Sequence, residues 1–375
     1  MESIARLMAE LPKDYEQECF ETGALTRLRG VASPADLMML VMFHLQNGCS
    51  LLEISVVAHI TKLGEMSDVA FMNRFEKCGN WFIALNEKIA SGGIIDYRRP
   101  TWLEDKIVIG VDATDVMEKG RSRRMYRLHY ALDIFRMRSV QQSITSGKEG
   151  ESLLNFTLTP DHLVIADRMY STIRGIEHCE KSGAQYILRL RTNSFTVRDK
   201  DGEKIELLPI LSQLKAGAYA DLSAYVTGSD GAVHPIRICA KRKTPEAIAQ
   251  TKKKLLRKES KNQCKISDEA KTFNEYIVTV TNVDPYVTAE EILEAYRLRW
   301  QVEIYFKRLK SILGFGELPK RRPASAIAWL NGKLMIALLI EIMLAKASFP
   351  PQENAGEKRM AGNKVPEPMA HDWVL

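Results

Sequence analysis

Two aspartates in this sequence each follow a short run of apolar residues, and such a pair could hold a metal ion. Asp112 comes directly after Val-Ile-Gly-Val, and Asp167 comes directly after Val-Ile-Ala. An apolar run of this kind predicts a buried strand, and the acid that ends it would project at the edge of a sheet. Carboxylates on neighbouring strands could bind a hard divalent cation such as Mg²⁺ or Mn²⁺. Taken singly, each aspartate is more typical of a turn or of a helix N-cap, so the interpretation needs a third group.

A third acid lies on a predicted long helix, one face of which carries groups that suit phosphate chemistry. Residues 288–291 form a capping box, which predicts a helix from there to about residue 313. Within an arc of about 60°, at about 100° per residue, this face carries Tyr296, Arg299, Glu303 and Lys310, with Lys307 beside them. A solvated face with ion pairs between residues four apart would show a similar pattern. That alternative gives no reason for the two strand-end acids upstream.

The elements around the two aspartates predict a mixed α/β sheet. Strands are predicted over residues 106–112, 125–133, 153–158, 162–167 and 185–190, with a helix over residues 171–182. Strands followed by a helix and a further strand are typical of α/β folds, and the acids stand at strand ends.

Residues 191–285 interrupt this order and predict a β-rich insertion. Strands are predicted over residues 194–197, 219–227, 233–240 and 275–281. Between the last two strands, residues 241–265 contain ten Lys or Arg and two Glu, which predicts a charged, partly flexible arm. Contact with DNA backbone and a solvated loop explain this arm equally well.

Residues 1–95 predict a small helical domain. Ser33 followed by Pro34 begins one helix, the capping box of residues 50–53 begins a second, and Ser67 begins a third. Short helices joined by short turns suit a small DNA-binding unit, and a helical cap without a nucleic-acid role fits the pattern as well.

The composition predicts a cytoplasmic globular protein with a slight preference for anionic partners. The chain has 375 residues and a net charge of +6, a mild excess that matters only through its distribution. Its six cysteines include no close pair, which argues against a zinc site or a disulfide framework. The most apolar stretch, residues 334–344, contains Glu341 and is shorter than the ~20 residues of a membrane span. No secretory signal and no membrane partner are expected.

Three motifs together resemble those of a known family. The pattern Tyr296-x2-Arg299-x3-Glu303-x6-Lys310 is similar, spacing for spacing, to the Tyr-Arg-Glu-Lys motif of bacterial DDE transposases of the insertion-sequence-four type. Residues 166–170 resemble the second-acid motif of that family, which often has Gly where this chain has Met169. Residues 111–114 resemble its first-acid motif, and the resemblance extends from the helical N-terminus to about Met343.

The resemblance implies an architecture. It is a ribonuclease-H-like α/β core, a mixed sheet with helices, interrupted by a β-rich insertion and preceded by a small helical domain. The expected boundaries are 1–95 for the N-terminal domain, 96–190 and 286–348 for the two parts of the core, 191–285 for the insertion and 349–375 for a disordered tail.

The resemblance also implies a site and a reaction. The implied metal ligands and catalytic residues are Asp112, Asp167 and Glu303, which would hold two Mg²⁺ or Mn²⁺ ions. The implied DNA-binding residues are Tyr296, Arg299, Lys307, Lys310 and Arg168. Such a site would cut phosphodiester bonds and join the freed 3′-hydroxyl to target DNA.

The implied partner is double-stranded DNA, which supplies both the terminal inverted repeats of the element and the target. The resemblance also implies a homodimer in the synaptic complex, located at the nucleoid. Two other functions stay open: a ribonuclease-H-like nuclease without strand transfer, and a transposase-derived DNA-binding protein without catalysis. Some relatives form a hairpin intermediate with help from an insertion Trp, but residues 191–285 contain none. Phe195, Tyr219 or Tyr225 would have to replace it.

Overall fold

A computed structural model describes residues 2–91, 97–118, 124–191, 194–315, 317–319 and 322–348. The predicted tail, residues 349–375, lies outside the described residues. The helices are α1 Glu2–Met8, α2 Tyr15–Glu21, α3 Pro34–Asn47, α4 Leu51–Ile60, α5 Asp68–Ser91, α6 Ile173–Lys181, α7 Leu207–Ser212, α8 Pro245–Asn262, α9 Asp268–Phe273, α10 Ala289–Arg297, α11 Trp300–Leu313 and α12 Pro323–Ser348. The strands are β1 Ile107–Glu118, β2 Arg124–Asp133, β3 Arg138–Ser146, β4 His162–Ala166, β5 Gln185–Arg189, β6 Tyr219–Thr227, β7 Val233–Arg242, β8 Tyr276–Thr281 and β9 Glu317–Leu318.

The N-terminal helices begin where their caps predict. The Ser33 hydroxyl accepts a hydrogen bond from the Asp36 amide, with Pro34 at the first helical position. Ser50 and Glu53 form a complete capping box at the start of α4. The long helix α5 packs against α12 at the far end of the chain. Side chains of both helices and of β2 share one hydrophobic core, so the N-terminal helices lie against the sheet.

The apolar helix α12 is an interior element. Its segment Pro323–Leu344 is long and apolar enough to span a membrane, but 67% of its most apolar window is buried inside the protein. It contacts α3, α5, β3 and α11. An apolar helix surrounded by protein on these sides is typical of the core of a globular protein.

The strands form one mixed sheet, which confirms the predicted α/β class. Its order is β3-β2-β1-β4-β5-β8-β7-β6, with β9 beside β1. The pairs β1–β4 and β4–β5 are parallel, and the pairs β1–β2 and β2–β3 are antiparallel. The predicted strand over residues 153–158 is wrong. Residues Leu153–Asn155 form a 3-10 turn, and Leu153 and Phe156 bury their side chains in the core without strand pairing.

The strands of the predicted insertion extend the same sheet. Strand β8 pairs with β5, β7 pairs with β8, and β6 pairs with β7, all antiparallel. The predicted strand over residues 194–197 is wrong, because the chain there makes only isolated bridges at Arg198. The predicted flexible arm is wrong as well. Most of it is the helix α8, which Thr244 caps by accepting a hydrogen bond from the Ala247 amide.

The predicted long helix near the third acid is two helices. Helix α10 ends at Arg297 and α11 begins at Trp300. Between them the backbone tightens, since the amides of Leu298 and Arg299 bond to carbonyls three residues earlier. The two helices contribute to different hydrophobic cores, with Tyr296 in one and Val302 in the other. Neither Gly nor Pro occurs between residues 296 and 302, so packing, and not local sequence, sets this break.

A candidate active site between the central strands and α11

Asp112 lies inside β1, and the prediction that it ends the strand is wrong. Strand β1 continues to Glu118, because residues beyond Asp112 pair with β2. The parallel pairing of β1 with β4 nevertheless stops at Gly110 opposite Ile165. Two residues further along this register, Asp112 comes level with Asp167, the first residue after β4. The two aspartates therefore meet at the edge of the parallel part of the sheet.

The neighbouring acid Asp115 belongs to a different contact. Its Oδ1 lies 2.8 Å from Nε of Arg127, and its Oδ2 lies 3.1 Å from Nε of Arg124. Both arginines lie on β2, and Arg127 is buried. These contacts direct Asp115 toward β2 and away from Asp167, so Asp112 is the acid that pairs with Asp167.

A buried arginine joins the first and third acids. Arg299 lies in the turn between α10 and α11, and only 8% of its surface is exposed. Its Nη1 is 3.7 Å from Oδ2 of Asp112, and its Nη2 donates to Oε1 of Glu303. The structure thus brings Asp112 and Glu303 to the two terminal nitrogens of one guanidinium. A planar guanidinium with several donors suits this bridging role better than a lysine would.

The electrostatics of Asp112 combine burial with the charges of its neighbours. Burial raises the pKa of Asp112 to about 7, Arg299 opposes the shift, and the charges of Asp167 and Glu303 add to it. Burial alone would lower the pKa of Arg299, but Tyr296, Glu303 and Asp112 outweigh burial and raise it. The site therefore holds more negative charge than one arginine neutralises.

Asp167 is held by its own turn. Its Oδ1 accepts a hydrogen bond from the Met169 amide at 2.8 Å, and its carbonyl accepts one from the Tyr170 amide. All five residues of β4 before it are buried. A rigid strand and a closed turn thus fix the carboxylate at the sheet edge.

The predicted DNA-binding residues divide into an exposed group and a buried group. Lys307 and Lys310 are exposed and line an open cleft of about 520 Å³ together with Glu303, Thr114 and Phe306. Tyr296 is only 5% exposed, and its ring lies 6.0 Å from the guanidinium carbon of Arg299. Its buried hydroxyl has no hydrogen-bond partner within the described ranges. The prediction that these side chains share one helix face is therefore wrong, because Tyr296 belongs to α10 and packs into the core.

Arg168, the remaining predicted contact, is half-buried beside Asp167. Its Nη2 donates to Oδ1 of Asn274 at 2.9 Å. Burial and the nearby Arg189 lower the pKa of Arg168 to about 10. The sequence analysis does not single out Arg189. Its position at the end of β5, the strand that pairs with β4, is the feature that could have identified it from sequence.

The donor set of the three acids suits a divalent cation. Burial, with a smaller contribution from the charges of Asp167 and Glu303, raises the pKa of Asp112, and a bound cation would favour its ionised form. Oxygen donors without histidine or cysteine favour Mg²⁺ or Mn²⁺ over Zn²⁺. A separate group on α6 and the β6–β7 turn also holds possible ligand atoms within 4.8 Å of one another, on Glu177, Asp230 and His234. That group contains none of the three acids.

A glycine that the sequence pattern did not single out lets α11 approach β1. A Cβ atom on Gly110 would lie 2.6 Å from Cγ2 of Val302 and 3.2 Å from Cδ1 of Ile134. Val302 is next to Glu303 in α11, and its β-branched side chain has little rotamer freedom in a helix. The close contact at Gly110 therefore sets the distance between Glu303 and Asp112.

We expect Gly110→Ala to lower the free energy of unfolding by about 1–3 kcal/mol, because the added methyl overpacks the contact. DNA nicking should fall by roughly 100-fold, since a displacement near 1 Å misplaces Glu303. Denaturant unfolding and a plasmid nicking assay measure the two effects.

The double variant Gly110→Ala/Val302→Ala removes the clashing methyl and should recover part of both properties. Gly150→Ala is the matched control, because a Cβ there meets nothing within 4 Å. Wild-type nicking by Gly110→Ala would show that this contact does not position the acid.

Comparison with known proteins gives a consistent set of relatives. The family described as transposase DDE domain matches residues 104–339. The putative transposase InsL for insertion sequence element IS186A of Escherichia coli strain K12 is 28% identical over 360 residues, covering 93% of this chain and 95% of that protein. The transposase for insertion sequence element IS421 of Escherichia coli is 28% identical over 361 residues, with the same coverage. The transposase for insertion sequence element IS231E of Bacillus thuringiensis subsp. finitimus is 27% identical over 206 residues, covering 51% of this chain and 43% of that protein.

Proposed function

This chain belongs to the transposase DDE domain family, and we propose that it cuts DNA at the ends of an insertion element and joins the freed 3′-hydroxyl to target DNA with the help of divalent metal ions. Transposase function and DNA cleavage follow from the family. The metal requirement, the strand transfer and the residue roles are the proposal. The observation that supports them is that Arg299 contacts both Asp112 and Glu303, while the strand register brings Asp167 level with Asp112.

Asp112, Asp167 and Glu303 would hold two Mg²⁺ or Mn²⁺ ions. When bound, such ions activate the attacking water and stabilise the departing 3′ oxygen of a phosphodiester. The three carboxylates would hold these ions, and the turn after β4 together with the close packing of α11 on β1 fixes the positions of the acids. A site of this kind serves cleavage and strand transfer alike, because both reactions displace an alkoxide from phosphorus.

The cations around the acids would hold the phosphates beside the cut. Lys307 and Lys310 line the open cleft with Glu303, where a backbone phosphate can reach them. Arg299, Tyr296 and Arg168 lie deeper, and Tyr296 packs its ring near the guanidinium of Arg299. We infer that the exposed lysines position the strand and that Arg299 and Arg168 supply positive charge beside the acids.

The partners follow from the reaction. We propose that the chain binds the terminal inverted repeats of its element and a target duplex, as a homodimer that pairs two ends. The reaction substrate is chromosomal DNA, so we place the protein in the cytoplasm at the nucleoid. The helical N-terminal domain, residues 1–95, is the unit we assign to end recognition.

The test uses the full chain and a supercoiled plasmid that carries the DNA flanking the coding region on both sides. We expect nicks at the element boundaries with Mg²⁺ or Mn²⁺, none with EDTA, and joined products when a target plasmid is added. Cleavage without joined products would instead support a nuclease. Binding of the flanking DNA without cleavage in either metal would support a transposase-derived DNA-binding protein.

A further inference from the structure

The helix α8 presents a strongly basic outer face. At about 100° per residue, five cationic side chains fall within an arc of about 140°, and all five are exposed. They are Lys253, Lys254, Arg257, Lys258 and Lys261. Within the part of the chain that the structure describes, none of the five forms an ion pair. Their charge is therefore available to a partner.

The opposite side of α8 is fixed to the rest of the protein. Lys252 forms an ion pair with Glu275 at 2.8 Å, and Glu259 forms one with Lys271 at 3.0 Å. Glu259 also accepts a hydrogen bond from the Ile266 amide. Thr251 is buried. The inner acid is thus neutralised within the protein, and these contacts hold the basic face outward.

A series of cations connects α8 with the acid site. Lys243, at the end of β7, is 4% exposed and donates to Oγ1 of Thr251 in α8 at 3.0 Å. Burial lowers the pKa of Lys243 to about 7, and the charges of Arg189, Arg168 and Lys254 lower it further. Lys254 is on the outer face of α8, and Arg168 directly follows Asp167. These buried contacts connect α8 to the interior of the protein near the residue beside the second acid.

We propose that the outer face of α8 binds the phosphate backbone of duplex DNA outside the cut. The inference rests on the proposed function, since it takes DNA as the substrate. Lys253, Arg257 and Lys261 span about 12 Å along the helix. One strand of a duplex presents about four phosphates over that length.

The chemistry of the face favours a nucleic-acid backbone over a membrane. A helix that lies in a bilayer surface needs a continuous apolar face beside its cations. Among the described side chains of α8, Leu256 is the large apolar residue that is strongly exposed, and it stands alone. Lysines on a convex helix contact phosphates without reading base edges, so the contact is independent of sequence.

The test measures binding of the full chain to a fluorescein-labelled 40-base-pair duplex of arbitrary sequence over a range of salt concentrations. Lys253→Ala/Arg257→Ala/Lys261→Ala should weaken binding by roughly 10- to 100-fold at 0.1 M salt. The slope of log affinity against log salt should fall by about 3, since each lost phosphate contact contributes about 0.9. Lys253→Arg/Lys261→Arg should bind like the wild type, because it keeps both charges.

Lys200→Ala/Lys204→Ala/Lys215→Ala is the matched control, because it removes three exposed lysines elsewhere in the same segment. It should change the affinity by less than about 2-fold. An unchanged salt slope for the α8 variant would overturn the proposal. Tighter binding of the wild type to anionic vesicles or to duplex RNA than to duplex DNA would also overturn it. If the wild type cuts the flanking DNA while the α8 variant binds like the wild type, the inference fails and the proposed function stands. If the α8 variant loses affinity as expected but the wild type never cuts, the proposed function fails alone.

Discussion

Asp112→Asn, Asp167→Asn and Glu303→Gln are each expected to lower the rate of DNA nicking by about 1000-fold or more while leaving DNA binding intact. Each substitution keeps the size of the side chain and removes one charged oxygen ligand. Losing such a ligand removes several kcal/mol of transition-state stabilisation, and each 1.36 kcal/mol is a factor of ten in rate. Nicking of the flanking-DNA plasmid gives the rate, and a band-shift assay with the same DNA gives the binding.

Asp161→Asn is the matched control for these variants. Asp161 is exposed and stands immediately before β4, at the opposite end of the strand from Asp167. It should nick DNA at the wild-type rate. If any one of the three acid variants nicked DNA as fast as Asp161→Asn, that acid would not be a catalytic residue.

Arg299→Met is expected to destabilise the metal-free protein by about 3 kcal/mol, because it leaves Asp112 and Glu303 facing each other without their shared cation. Added Mg²⁺ or Mn²⁺ should restore more stability to this variant than it gives the wild type, since a divalent cation replaces the lost positive charge. Thermal unfolding with EDTA and with each metal measures both effects.

Arg297→Met is the control for the arginine. Arg297 lies two residues away and forms an ion pair with Glu294 at 2.7 Å near the surface. A pair of this kind contributes about 0–1 kcal/mol. Equal losses in the two variants, or a metal response no larger than that of the wild type, would show that Arg299 is not the counter-ion of the acids.

The sequence predicts the end of β4 correctly and the end of β1 wrongly. Asp167 was placed correctly because the strand before it is buried throughout, so the first polar residue marks its end. The sequence pattern puts Asp112 at the end of its strand, but β1 continues to Glu118. Beyond Asp112 the chain keeps pairing with β2 while it loses β4, and a change of partner leaves no mark on hydrophobic periodicity.

The two largest differences elsewhere have the same origin in tertiary contacts. The break at Leu298 and Arg299 contains no helix-breaking residue and follows from packing on two cores. In α8 the start signals Thr244 and Pro245 were present, but the run of charges after them favoured a flexible arm. The helix forms because its inner side is held by Glu275 and Lys271. Contacts between segments distant in sequence decided both cases.

The hydrogen-bonded continuity of the sheet limits how a chain of this kind can change over evolution. Strand β5 has β4 on one side and β8 on the other. A chain shortened by removing residues 191–285 would keep its acids but would leave one edge of β5 with unpaired amides and carbonyls, which invites aggregation. Descendants can therefore lengthen or trim the turns of this segment without exposing the edge of β5. Strand β8 cannot be lost as a module, because it covers the edge of β5.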